Sequence, residues 1–413
     1  MRYYEEPARQ IPIAREVDVI VVGGGPAGVG AAIAAARAGA ETLLVEQFGY
    51  LGGTATASLM ACINGFRNQV APDETQVVRG IAEEVVLRLK ERDGLGNQSP
   101  YPQRDFPTEP GQLAYSYVID TEQFKYVLMQ MCQEAGVELL LHAYYAASIV
   151  EDQALQGILV ESKSGRQALM AKVVIDASGD GDVAARSGAP FWQIRADEAP
   201  RLNDALMYRV TSQGRPEKTM ACDLGATQVL WGPGAGPIDA TDAAALSAAE
   251  VDTRLRIYED LARKQEQDPS LAGARIVETP PLLGIRQTRF IEGEYKLTAE
   301  DAIEGRPFDD AIAISPCPII HYYGYRRYLE HEGYDIPYRT LVPLQVENLL
   351  VAGRCISSEQ EPYESHRAMV PMMAIGQGAG VAAALCAAEG VTPRALDPQA
   401  VRELLRSQGA FIR

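Results

Sequence analysis

The chain is poor in the residues that usually advertise metal or thiol chemistry. It has six cysteines, four histidines and two tryptophans in 413 residues. Cys62, Cys132, Cys222, Cys317, Cys355 and Cys386 form no CxxC pair and no His-rich cluster. That spacing fits neither a zinc site nor a redox dithiol, and reads as small core residues of a reduced, cytoplasmic protein; no metal is expected. Lysine is scarce as well, 7 against 31 arginines, which leaves few candidates for Schiff-base chemistry. Positive charge is short overall: 38 Lys+Arg face 55 Asp+Glu, a formal charge of −17. So acidic a surface repels phosphate, and neither nucleic acid nor a membrane is expected as a partner; a small-molecule substrate is, and homo-oligomerisation stays open. No apolar leader is read in residues 1–16. The uncharged run 368–388 has spanning length, but Pro371 and several glycines interrupt it and Ala dominates it. A buried loop followed by a buried helix over 376–388 is expected there.

Against these absences stands a strong signal near the start. An apolar run from Glu16 to Val22 leads into Gly23-Gly24-Gly25-Pro26-Ala27-Gly28, then an Ala-rich helical stretch to Ala38 and a second strand, Glu41 to Val45. Strand, glycine turn, helix, strand is a βαβ unit, and Glu46 stands 18 residues after Gly28. In a dinucleotide site Gly23 permits the turn, Gly25 admits a pyrophosphate to the backbone, Gly28 lets helix meet strand, and the acid accepts from a ribose diol. The helix N-terminus favours phosphate.

Further along, the i+4 series Val77, Ile81, Val85, Leu89 predicts a helix over 74–92. Asp120 caps a second helix ending near Gly136. Three β-like runs (144–150, 155–162, 167–175) predict an antiparallel meander that ends in Asp176-Ala-Ser-Gly-Asp180. Residues 191–339 change character, with strand-like pieces around a helical block at 241–267. From 340 the first pattern resumes, with a strand at 348–352 and a late glycine-rich helix. The expected fold is α/β: a Rossmann-like FAD-binding domain (parallel sheet with β-meander) in two segments, 1–190 and 340–413, with an inserted α+β substrate domain, 191–339.

GGGPAGVGAAIAAARAGAETLLVE, GYLGGTAT, VVIDASGDGDVAARSGA, GIRQTRFIEGEYKLT and IPYRTLVPLQVENLLVAGRCIS with AIGQGAGVAAAL together resemble the two-domain FAD-dependent oxidoreductases related to glutathione reductase. Within them the chain looks most like the bacterial FAD-dependent oxidoreductase family near the succinate dehydrogenase and fumarate reductase flavoproteins. The resemblance implies that Gly23, Gly25, Pro26, Ala27, Gly28, Glu46 and Gln47 hold the ADP half of FAD. It implies that Gly52, Gly53 and Thr54 line the pyrophosphate and flavin, that Ala146 offers backbone to the adenine, and that Ala177, Gly179 and Asp180 return the chain to the cofactor. Gly353, Arg354 and the amides of Gly378 and Ala379 would meet the ribityl chain and the pyrimidine edge. Relatives often carry an acid where this chain has Arg354.

No second GxGxxG follows a strand and no catalytic dithiol exists, which removes a disulfide-reductase reading. The simplest remaining reaction passes a hydride from a small organic substrate to non-covalent FAD, reoxidised by oxygen or another acceptor. Alternatives are a reductase of an unsaturated acid, an RNA-modifying flavoprotein and a non-catalytic flavoprotein. Arg286, Arg289 and Arg339 are candidates to bind a substrate carboxylate. His321, Tyr323, His366 and Arg367 are candidates for the catalytic step, while Glu361, Tyr363 and Glu364 read as solvated.

Overall fold

A computed structural model describes residues 2–68, 75–96, 113–194, 203–211, 222–320 and 326–413. Its central sheet begins with β1 (Ile13–Val22), whose last residues are fully buried. Pro26 opens helix α1 (Pro26–Arg37) at a position where a missing N–H costs nothing. Strand β2 (Thr42–Glu46) pairs parallel with β1, Val19 opposite Thr42. Helix α2 (Ile81–Glu91) is shorter than its apolar period suggests, because Gly80 at φ +67° starts it seven residues late. Helix α3 (Thr121–Ala135) has the expected Asp120 cap and ends at Gly136 in the left-handed region.

Strands β3 (Glu138–Leu141), β4 (Tyr144–Glu151), β5 (Ala154–Ser162) and β6 (Gly165–Asp176) complete the first run. The sheet order is β3-β2-β1-β6-β5-β4. β4, β5 and β6 are the antiparallel meander, and β6 also runs parallel to β1. Continuous Val/Ile/Leu in β1 and β2 suits strands covered on both faces.

The chain then builds a separate antiparallel sheet from β7 (Asp204–Thr211), β8 (Cys222–Asp223), β9 (Thr227–Gly236) and β10 (Ile276–Glu278), in the order β8-β9-β7-β10. Helices α4 (Ala243–Leu255) and α5 (Ile257–Gln267) pack on it. The small core of this unit runs from Leu206 to Leu283. Ile291, Ile312, Tyr334 and their neighbours join the main core instead, so the second core is narrower than the expected 191–339 span.

The return segment adds β11 (Leu349–Val351), parallel to the end of β6, with Val351 opposite Asp176. Helices α6 (Gln360–His366), α7 (Met369–Glu389) and α8 (Pro398–Ser407) follow. Among the described residues α7 is long and apolar enough to cross a membrane, but most of it is buried in the main core. It is one continuous helix from Met369, where the sequence predicts a loop up to 375. Pro371 does not interrupt it, because proline in a first turn replaces an N–H that has no intrahelical partner anyway.

Candidate functional site

The C-terminal ends of β1, β2, β6 and β11 open onto a cleft of about 520 Å³. Gly25 is the cap of α1 and makes no side-chain bond, so the first amides of that helix are left for a ligand. The facing loop approaches so closely that a Cβ on Gly53 (φ +50°) would lie 2.7 Å from the Gly25 Cα. The cleft floor here is two bare backbones, the geometry a pyrophosphate needs. Gly23, Pro26 and Ala27 line the same end. Glu46 and Gln47 line the next part. The Glu46 carboxylate accepts from the Gly24 amide at 2.6 Å and the Phe48 amide at 2.9 Å, and burial raises its pKa. Thr54, Ala177, Gly179, Asp180, Gly353 and Arg354 close the other end. Open helix amides, a cradle without side chains and an acid on the second strand are the donor and acceptor set FAD requires.

Several expected contacts fall elsewhere. Gly28 does not line the cleft; it lies under it, where a Cβ would come within 1.8 Å of the Gly23 carbonyl oxygen. Gly52 is also behind the wall, its amide bonded to the Gly24 carbonyl at 2.8 Å. The Ala146 carbonyl accepts from Arg186 at 2.7 Å, and the wall near it is formed by Ala143, Tyr144 and Tyr145. Gly378 and Ala379 sit in the interior of α7, with their amides inside the helix ladder. The glycines of this run serve packing instead: Gly376 and Gly380 face the backbone of α1 at Ala27 and Ala31. The helix end that meets the site is nine residues earlier, at Ala368, Met369 and Met372.

Arg354 occupies the position where relatives carry an acid, and here the acid comes from another loop. Its Nη2 donates to Asp180 Oδ1 at 2.7 Å and its Nη1 to the Ile285 carbonyl at 2.5 Å. Asp180 also accepts from Thr288 Oγ1 at 2.9 Å, and burial raises its pKa against the pull of Arg354.

Arg354 also lines a second cavity of about 370 Å³, and Thr54, Ser58, Ile285 and Met372 are common to both. Its wall is mainly apolar: Met60, Met207, Trp231, Ile320, Met369 and Met372. Into this surface project Arg286, Arg326, Arg354, Arg367 and Glu364. The Arg286 guanidinium lies over the Trp231 ring, 5.4 Å from its centroid. Glu364 is 2% exposed and accepts from Gln360 Nε2 at 2.9 Å. Burial pushes its pKa up to about 7, with Gln360 and Arg367 opposing.

Of the substrate and catalytic candidates, the structure brings Arg286 and Arg367 to this cavity. Arg289 is committed elsewhere: its Nη1 donates to Asp182 Oδ1 at 2.9 Å and the Asp180 carbonyl at 3.0 Å, holding the loop after β6. Arg339 pairs with Asp310 (Nε to Oδ2, 2.9 Å) in a separate surface cleft beside Tyr295. His366 is fully buried, its Nε2 3.2 Å from Ser358 Oγ, and it does not line the cavity. Burial and Arg367 lower its pKa to about 3, so its ring is neutral at physiological pH. His321 and Tyr323 lie outside the described residues. Glu364 and Tyr363, expected in solvent, are buried. The residues involved form helix α6, not a loop; read as a helix, Gln360, Glu364 and Arg367 fall at i, i+4 and i+7 on one face.

Comparisons with known proteins agree with this geometry. The FAD dependent oxidoreductase family matches over residues 18–223 and 194–405. Digeranylgeranylglycerophospholipid reductase 1 of Methanococcoides burtonii is 25% identical over 164 residues, 40% of this chain and 38% of the relative. The reductase of that name from Methanoculleus marisnigri is 27% identical over 183 residues, 41% of each chain. The chain thus matches about two fifths of the length of these curated relatives. A geranylgeranyl bacteriochlorophyll reductase-like protein from Thermoplasma acidophilum shares the fold, with a TM-score of 0.52, 15% identity, and coverage of 95% of this chain and 83% of that one. The glutathione reductase and succinate dehydrogenase groups are not where these similarities lie. With the match extending over nearly all of its length, the chain belongs to the FAD dependent oxidoreductase family and takes FAD as its cofactor.

Proposed function

We propose that the protein oxidises a small organic substrate held in the second cavity, with FAD bound non-covalently in the adjoining cleft. The observation that carries this reading is the common wall: Thr54, Ser58, Ile285, Arg354 and Met372 face both spaces. FAD, when bound, supplies the acceptor for a hydride. The chain's own part is to orient the substrate, exclude water with the methionine and tryptophan wall, and take the substrate proton. Glu364 is the group for that last task, since it is the carboxyl in the cavity wall and titrates near neutrality. One C–H bond gives up its hydride and one O–H or N–H bond its proton. The electrons leave finally to oxygen or another acceptor. Anaerobic titration with a panel of small alcohols, amines and acids is expected to bleach the flavin absorbance with at least one of them. Rapid bleaching by NADPH or NADH alone, with none from the panel, would point away from a substrate oxidase.

The reverse direction, reduction of an unsaturated compound, has one observation in its favour. A carboxyl still protonated near pH 7 can deliver a proton as readily as receive one. The reductase names of the curated relatives agree with that direction. No histidine occurs between 46 and 70, where a covalent flavin link is found in the succinate dehydrogenase group. Acid precipitation is therefore expected to leave the yellow colour in the supernatant; colour retained in the pellet would show a covalent bond.

A further inference from the structure

Two buried donors in the wall of the second cavity have no acceptor among the described residues: Nε of Arg367 and Nε1 of Trp231. Both face an otherwise apolar space, where an unmet donor is costly to maintain. Arg354 is already engaged by Asp180 and Ile285. Arg367, by contrast, makes no side-chain ion pair or hydrogen bond with the described residues. The uncapped N-terminus of α7 begins two residues later, and Ala368 and Met369 belong to the same wall. The end of a long helix adds positive potential to that of the guanidinium. In a protein of net charge −17, this is local positive charge placed against Met60, Met207 and Met369.

We infer that the cavity takes an organic acid with an apolar body, its carboxylate received by Arg367 and its body lying against the methionine and tryptophan wall. The inference rests on the second cavity being the substrate site. An ionised acceptor answers a guanidinium with charge-assisted hydrogen bonds, which an uncharged amide of the same shape does not reproduce. Trp231 Nε1 offers a further donor to a ligand oxygen.

The test compares matched pairs on the FAD-loaded protein: trans-cinnamate against cinnamamide, and hexanoate against hexanamide. Equilibrium binding is read by calorimetry and by perturbation of the flavin spectrum, without turnover. At least one acid is expected to bind about tenfold or more tighter than its amide. Arg367→Met is expected to abolish that preference while keeping its FAD, and Arg367→Lys to retain part of it. Should Arg367→Met lose FAD, Arg367→Gln takes its place. Equal binding of acid and amide, binding of neither acid, or a preference that survives in the FAD-loaded Met or Gln variant would overturn the inference. The arms separate it from the oxidoreductase reading. Bleaching by neutral compounds without any affinity for acids defeats the carboxylate site alone. Tight, Arg367-dependent binding of acids with no flavin reduction by any compound defeats the reaction alone.

Discussion

Glu364→Gln is expected to slow flavin turnover by about 100-fold, the usual contribution of a positioned acid or base. The shape of glutamine preserves the bond to Gln360, so the loss reports the proton and not the packing. The pH profile of the wild-type protein then gives the direction of the reaction. Oxidation needs the carboxylate, and its rate should rise with pH through about 7; reduction needs the acid form, and its rate should fall over the same interval. Stability moves the opposite way to activity. Burial raises the Glu364 pKa from 4.5 to about 7, so the native state holds a proton that the unfolded chain releases. The stability this contributes is complete below about pH 4.5 and is lost as pH rises through about 7. The glutamine variant, which has no carboxylate to bury, should therefore melt higher than wild type at about pH 8 and equally below about pH 4.5. Wild-type turnover by this variant across the pH range would remove Glu364 from the reaction.

Gly376→Ala is expected to destabilise the fold and release FAD together. In most helix interiors this change gains about 1 kcal/mol. Here the new Cβ would come within 1.9 Å of the Ala27 carbonyl oxygen, which is backbone and cannot rotate aside. Overpacking of this kind costs about 1–3 kcal/mol or more, and the seam offers little relief. Gly380 meets the Ala31 carbonyl at 2.1 Å by the same measure, and Gly30 meets that of Met373 at 2.4 Å. The clash outweighs the helix gain, for a net loss of about 2 kcal/mol or more. Ala27 also lines the cofactor cleft, so pushing α1 away displaces the amides that hold the pyrophosphate. FAD affinity should fall on the order of tenfold or more. Calorimetric melting and fluorescence of FAD in the filtrate read the two effects. A rise in melting temperature with full FAD content would mean that helix propensity governs this position and that α1 and α7 are not in such close contact.

The nucleotide half of the molecule is largely legible in its amino-acid order. Period-two runs bounded by turn residues mark the meander, and the glycine fingerprint with Glu46 marks the cleft. Both signals are local, set by backbone sterics and hydrogen bonding within a few residues. The start of α7 is not legible. A helix buried on all sides has no polar face to mark its phase, and Pro371 imitates a break although it sits in the first turn. The arginines show a different limit. Arg286, Arg289 and Arg339 are alike in sequence, yet only the fold shows which one finds a carboxylate partner in Asp182 or Asp310 and which one faces the cavity. Glu364 carries no local mark of its role, because its burial comes from elements distant in sequence and not from its neighbours.

The glycine seam between α1 and α7 has a consequence for how the protein is made. The helices it joins are separated by residues 38–368, so a ribosome emits most of the chain before the Ala-rich flank of α1 finds its cover. Until then the glycine turn has emerged, but the helix behind it lacks its backing. Contacts between such distant segments form slowly, and the waiting apolar face is a natural target for chaperones. Capture of the yellow cofactor is in consequence a late event in biogenesis, completed only after translation has passed residue 389.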